Sequence, residues 1–343
     1  MERIIFWNNK GGTGKTTLAF QIVTEYAHQN PSKKILVIDV CPQANLSELL
    51  LGGLNQGGSD VLLMRQGATP RATVGGYFQL RLPSPYSAPV FNPKDFLTTP
   101  YQYNTYIPDN IDLLCGDAML ELQSNAISTL ANNQIPGTNT WIAIINWLND
   151  FINPIKNEYD TVFLDANPSF SMYTQIAIAS STKVILPVMA DDSSRRAIQN
   201  AFALIYGLKL PSEIYSKYAF AEKLREVNMP LPKVYLVLKN RLTQYMGAAS
   251  AYATVLKEID TDVILLLRAY PDIFSFTNLE DGIINVRDFQ TTGVVSSARG
   301  CPLQMLRSGR LDVMGKRVVI KEDYRQNCIK NIEEIIQKLN RDL

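Results

Sequence analysis

The chain has 343 residues, enough for one large α/β domain or two small ones with an ample buried core. Hydrophobic residues make up 46% and charged residues 19%, and the formal net charge of +1 excludes a global electrostatic signature for nucleic acid or membrane. Any such surface has to be a local patch. The four cysteines, Cys41, Cys115, Cys301 and Cys328, lack Cys-x-x-Cys spacing and the sole histidine is His28, which argues for reduced thiols and against a zinc site. The N-terminus runs directly into a strand without a signal-peptide pattern, and no apolar run is long enough for a bilayer, so a cytoplasmic protein is expected.

The apolar run Ile4 to Trp7 leads into Asn8-Asn9-Lys10-Gly11-Gly12-Thr13-Gly14-Lys15-Thr16-Thr17, and a helical pattern follows from Leu18 to Ala27. Strand, glycine loop and helix in that order present backbone N–H groups and the positive helix end to a polyphosphate. In such a loop Lys15 reaches the β and γ phosphates, the Thr16 hydroxyl holds Mg²⁺, and Thr17 adds a hydrogen bond. Asn9 stands where the usual loop has its first glycine, and a second lysine, Lys10, precedes the double glycine. The run resembles the deviant Walker A loop of the ParA/MinD family of ATPases, which reads Lys-Gly-Gly-x-Gly-Lys-Thr-Thr. The resemblance implies that Gly11, Gly12, Thr13, Gly14, Lys15, Thr16 and Thr17 hold ATP, and that Lys10 crosses a homodimer interface to the partner's nucleotide. A solvated surface lysine is the alternative for Lys10.

Lys34 to Asp39 is a continuous apolar run ending in a carboxylate, as expected of a buried parallel strand delivering a side chain at its C-terminal edge. The following Val40-Cys41-Pro42-Gln43-Ala44-Asn45 resembles the family motif Asp-x-Asp-Pro-Gln-x-Asn, with Asp39, Pro42, Gln43 and Asn45 matching. Cys41 occupies the second aspartate, the carboxylate that in the family helps to position the attacking water. A thiol is mostly neutral at pH 7 and a poor acceptor, so slow or absent hydrolysis is expected while ATP and Mg²⁺ still bind. The alternative is that Asp39, Asp191 or Asp192 takes over.

From Gly52 to Pro108 the prolines Pro83, Pro85, Pro89, Pro93, Pro100 and Pro108, among many tyrosines, read as an insertion, ordered or mobile, without long helices or central strands. Its aromatics either pack over the core or form a partner surface. Asn110 to Gly116 resembles a short family strand, Asp117 to Leu130 reads as an amphipathic helix, and Thr140 to Ile155 carries helical periodicity. Tyr159 to Asp165 is an apolar strand ending in Asp, the Walker B arrangement, so Asp165 joins Thr16 and Asp39 as candidate Mg²⁺ support. Ala166-Asn167-Pro168-Ser169 resembles the family's Cys-Pro-Pro-Ser, with Asn167 in place of the first proline.

Lys183 to Val188 reads as a strand, followed by a helix whose start carries Arg195 and Arg196, readable as phosphate or DNA contacts or as solvated arginines. Lys233 to Arg241 reads as another buried strand, and the resemblance makes Asn240 the adenine reader, a plain strand-end turn being the alternative. Tyr252 to Ile259 reads as helical and Val263 to Leu267 as a last apolar strand. Arg307, Arg310, Lys316, Arg317 and Lys321 form the densest basic stretch, and C-terminal basic residues carry nonspecific DNA binding in ParA-type relatives; a solvated hairpin or helix face is the plain reading. Cys328 to Leu343 repeats apolar residues at helical spacing, with a polar face too balanced in charge for a membrane-surface helix.

The expected fold is thus one doubly wound α/β domain over residues 1–343 with a mostly parallel sheet, an insertion at about 52–108 and a C-terminal docking helix at about 322–343. The resemblance, strongest over Glu2 to Ser47 and Tyr159 to Val188, implies an ATP-dependent dimerising switch that binds nonspecific DNA, associates with the nucleoid and works with a ParB-like or other adaptor protein, without a membrane. A hydrolysis-poor ATP-sensing module that recruits a protein is the main alternative, ahead of a MinD-type membrane-positioning ATPase.

Overall fold

The computed structural model of the protein describes residues 1–343 except 190, 243–249 and 314, and the side chains except also those of 192 and 250–253. Asp192, one of the carboxylates considered as a substitute for Cys41, therefore has its side chain outside the described residues. In chain order the elements are β1 (Glu2–Phe6), α1 (Lys15–Gln29), β2 (Ile35–Val40), α2 (Asn45–Leu50), α3 (Gly58–Gln66), α4 (Val74–Arg81), β3 (Ile111–Leu114), α5 (Met119–Asn132), α6 (Thr140–Ile145) and α7 (Trp147–Ile152). They continue with β4 (Thr161–Ala166), α8 (Met172–Ala179), β5 (Lys183–Met189), α9 (Asp192–Tyr206), α10 (Phe220–Arg225), β6 (Lys233–Leu242), α11 (Ser250–Ala269), α12 (Leu279–Gly282), β7 (Ile283–Arg287), α13 (Gln290–Arg299), β8 (Gly309–Val313), β9 (Lys316–Ile320) and α14 (Glu322–Asp342).

Seven parallel strands form the sheet in the order β3-β2-β4-β1-β5-β6-β7. Strands β2 and β4, and β1 from Ile4 onward, are buried on both faces, which is why they read as apolar runs. Successive residues divide between two cores. Ile5 and Trp7 point into the one built with α4 to α9, whereas Ile4 and Phe6 point into the one built with α1, α13 and α14. Because β1 is flanked by β4 on one side and β5 on the other, the loop after β1 opens at the crevice where the winding direction reverses, the usual place for a ligand in an open α/β sheet.

Two expectations are corrected. Val263 to Leu267 is not a strand but part of the 20-residue helix α11, and the edge strand beside β6 is β7, whose burial alternates. The helical stretch from Thr140 breaks at Asn146 into α6 and α7. The proline-rich insertion is ordered: Tyr77, Phe78, Phe91 and Phe96 form an aromatic cluster with Trp147 and Phe151, and the Asn104 side chain donates to the Leu50 and Gly300 carbonyls. Its aromatics thus largely pack over the core. Helix α14 docks through Cys328, Ile332, Ile335, Ile336 and Leu339, all buried, against α1 and β7.

Candidate functional site

The loop between β1 and α1 is shaped by its own asparagines. Asn8, buried at the end of β1, accepts from the Lys10 backbone N–H at 3.0 Å and donates to the Pro187 carbonyl at 2.8 Å, tying the loop to β5. Gly12 and Gly14 take positive φ of 74° and 83°, which only glycine adopts readily. A Cβ at Gly11 or Gly12 would meet nothing within 4 Å, so the exposed loop is open at both positions. Helix α1 follows Gly14, and no side chain among the described residues caps it, leaving the N-terminal N–H groups that suit a phosphate.

On the β4 side, the Thr16 hydroxyl donates to Asp165 Oδ2 at 2.7 Å, while Asp165 Oδ1 is buried with no hydrogen-bond partner among the described residues. An orphaned carboxylate oxygen beside a threonine hydroxyl is the hard oxygen donor set that a hydrated Mg²⁺ takes, and the residues present fit that ion. Buried Lys15 donates to the Lys10 carbonyl at 3.0 Å. Burial lowers its pKa, and the neighbouring Asp165 charge opposes the shift.

Asp39 sits directly across the β2–β4 pair from Asp165. It is fully buried, and its oxygens accept from the Cys41 N–H at 3.1 Å, the Ser47 N–H at 2.9 Å and the Ser47 hydroxyl at 2.7 Å. Ser47 in turn accepts from the Gly116 N–H at 2.9 Å, so Asp39 organises the loop into α2 and joins the ends of β2 and β3. No local signal in the sequence marks Ser47 for this role. Cys41 lies in the same loop, half-buried, and its thiol is pushed up to about 12, first by burial and then by the charges of Asp39 and Asp165. It is a neutral thiol, unable to act as a base near pH 7.

Burial also pushes the Asp165 carboxyl up, Asp39 adds to the rise, and Thr16 and Lys15 oppose it. A carboxyl whose folded pKa is raised binds its proton more tightly in the folded state, so its stability cost grows as pH climbs above the unfolded carboxylate value of about 4. Asp165→Asn is therefore expected to stabilise the nucleotide-free protein at pH 8 by on the order of 1–2 kcal/mol, with a smaller gain at pH 5. Thermal melts at both pH values check this; a gain that grew toward acid would contradict it.

Lys10 reaches to the opposite side, away from Asp165. Its ammonium donates to both oxygens of Asp191, at 2.6 and 2.5 Å, and to the Ser194 hydroxyl at 3.1 Å. Asp191 caps α9 by accepting from the Ser194 N–H at 2.7 Å. Burial pushes this carboxyl up, but the hydrogen bonds from Lys10, Ser193 and Ser194 outweigh it and hold it at about 2. The expectation that Asp191 could stand in for Cys41 meets this engagement with Lys10. On α9, Arg195 pairs with Glu258 of α11 at 3.6 Å.

At the end of β6 the buried Asn240 donates its side-chain N–H to the Thr13 carbonyl at 2.8 Å and closes over Gly14, where a Cβ would collide with it. Gly14→Ala is expected to lower stability by at least about 1–3 kcal/mol through its positive φ and to expel Asn240 from the loop. A melting curve and nucleotide titration of that variant check both effects. The basic residues Arg307, Arg310, Lys316 and Arg317 are exposed, and the last three lie on the β8–β9 hairpin, far in sequence from the loop.

A family model described as an AAA domain matches residues 1–214, and it covers the whole constellation around the glycine loop except Asn240. The chain belongs to the ParA/MinD family of P-loop ATPases. The virulence plasmid ParA family protein pGP5-D of Chlamydia trachomatis is 24% identical to it over 293 residues, covering 83% of this chain and 96% of that one. The chromosome-partitioning ATPase Soj of Treponema pallidum is 26% identical over 190 residues, covering 55% of this chain and 58% of that one. The chain spans about half the length of the first curated relatives it matches, from 40% to 61%. Among solved structures, apo McdA from Cyanothece superposes with a TM-score of 0.61 at 14% identity, covering 99% of each chain. MinD in the MinC:MinD complex of Aquifex aeolicus gives 0.55 at 17% identity, with 98% and 96% covered. These structural likenesses establish the ParA/MinD fold for this family member, in agreement with the parallel sheet expected from its sequence.

Proposed function

We propose that this chain is an ATP-dependent dimerising switch that binds DNA without sequence preference in its ATP state and acts with an adaptor protein in segregating DNA or positioning another cargo. One observation carries the reading: the two lysines of the loop diverge, Lys15 staying at the cradle while the Lys10 ammonium lies outside it on the β5 side. A cation on the rim of a phosphate site that does not serve its own protomer's cradle suits a nucleotide held by a second copy. The names of its relatives, a partitioning ATPase and a plasmid ParA family protein, are in keeping with this.

Bound Mg²⁺-ATP would supply the γ-phosphoryl group and the metal charge. The chain's own residues bind and orient it. Gly11 to Thr17 offer backbone N–H groups, Lys15 offers a cation, and Thr16 with Asp165 offers oxygen ligands, while Asp39 shapes the neighbouring loop and Asn240 borders the cradle where an adenine edge would be read. Cys41 offers no acid or base, so turnover is slow and the ATP state is long-lived. This same thiol favours a second reading, a recruitment module in which the ATP dimer binds a protein rather than DNA.

A DNA titration with no nucleotide, ADP, ATP and a nonhydrolysable analogue at several salt concentrations separates the two. With four phosphate contacts per protomer the expected ATP-state slope of log K against log salt for the dimer is about −7, flattened by about 2 in Arg310→Ala or Arg317→Ala, each of which removes one contact from each protomer. No binding in any state, with ATP retained, leaves the recruitment module.

A further inference from the structure

The partner of Lys10 in its own protomer bears on how the switch is held open. An ammonium has three N–H donors, and all three of Lys10 are engaged, two by Asp191 and one by the Ser194 hydroxyl. Lys10 cannot reach another anion without leaving this site. Asp191, by contrast, is fixed independently of Lys10. It accepts from the Ser194 N–H at 2.7 Å and the Ser193 hydroxyl at 2.8 Å at the positive end of the four-turn helix α9, and Ser194 is itself pinned by the Met189 N–H at 3.1 Å. The carboxylate therefore keeps its charge and place whether or not the lysine is present.

We infer that the Lys10–Asp191 ion pair is an autoinhibitory restraint that keeps Lys10 in its own protomer, so that dimerisation requires Lys10 to exchange Asp191 for the partner's nucleotide. The inference rests on the dimer reading above and adds to it the group that opposes the dimer. Two features make the restraint reversible. The side chains are 22% and 39% exposed, which keeps the pair in the range of partly screened ion pairs, and both are joined to loops rather than strand interiors. A pair of this kind holds the competent form back by about three- to fivefold. Two protomers must each release a lysine, so the factor enters twice, giving about 10- to 25-fold in the dimer dissociation constant.

Asp191→Asn is the discriminating variant, because asparagine caps a helix as well as aspartate and preserves α9 while removing the charge. Two measurements are made on the full chain. The first is the rate at which an amine-reactive acetate ester labels Lys10 in the nucleotide-free protein, read by mass spectrometry. The second is the dimer dissociation constant at saturating Mg²⁺-ATP, read by sedimentation. The expected result is severalfold faster labelling of Lys10 in Asp191→Asn, with dimers tighter by about 10- to 25-fold. Unchanged labelling overturns the ion pair in solution, and faster labelling with dimers no tighter than wild type overturns the restraint while leaving the dimer reading intact. If neither protein dimerises although both bind ATP, the dimer reading fails and the inference fails with it.

Discussion

Cys41→Asp is expected to raise ATP turnover by about 10²- to 10⁴-fold over wild type, the usual contribution of a positioned acid, base or water-orienting group. The side chain at this position sits in the loop that Asp39 anchors, within the electrostatic reach of Asp39 and Asp165. The thiol there is neutral far above physiological pH and cannot orient or deprotonate water. An aspartate restores the family's acceptor at the same backbone position, which is already held by the Cys41 N–H bond to Asp39. The cost is electrostatic: a third carboxylate beside two buried ones destabilises the nucleotide-free protein, on the order of 1–2 kcal/mol. The variant should therefore melt earlier without nucleotide and hydrolyse faster with it. Steady-state phosphate release by both proteins checks the claim, and wild-type turnover already at the variant's rate would contradict it.

Lys15→Ala is expected to weaken ATP binding by about 10²- to 10³-fold, since the lysine offers charge-assisted hydrogen bonds to phosphate worth about 1.5–3 kcal/mol each. The same change should leave the nucleotide-free protein as stable as wild type or more so. Lys15 is buried, its pKa is lowered by that burial, and among the described residues its ammonium donates only to the Lys10 carbonyl. An ammonium kept in such a place is held against its solvation for a ligand's sake. Calorimetric titration with ATP and a melting curve separate the two effects. Loss of stability together with retained ATP affinity would show that Lys15 serves the fold instead.

Much of the fold was legible because the central strands are buried on both faces. Ile35–Val40 and Thr161–Ala166 each announce themselves as apolar runs ending near an aspartate, and the glycine loop carries its own punctuation. The β7 edge was not legible. Ile264, Leu265, Leu266 and Leu267 form a short apolar run that a strand or a helix explains equally well, and length decided for α11. The strand at that edge, Ile283–Arg287, is half-exposed, so its pattern alternates and carries no continuous apolar signal. At the site, the residue types were readable but not their partners. The sequence Asp191-Asp192-Ser193-Ser194 signals a helix cap, yet nothing local shows that the capping carboxylate takes Lys10, 181 residues away. Likewise Asp39 reads as a strand-end carboxylate, and only the folded chain shows its oxygens taken by Cys41 and Ser47.

The most direct test of the switch is the molar mass of the full chain in light scattering with no nucleotide, with Mg²⁺-ADP and with Mg²⁺-ATP, alongside Lys10→Ala. The expected result is a doubling of mass in Mg²⁺-ATP alone for wild type, and a protein of unchanged mass in all three conditions for Lys10→Ala. A wild-type protein that binds Mg²⁺-ATP and keeps its nucleotide-free mass, or a Lys10→Ala variant that doubles as wild type does, would contradict it.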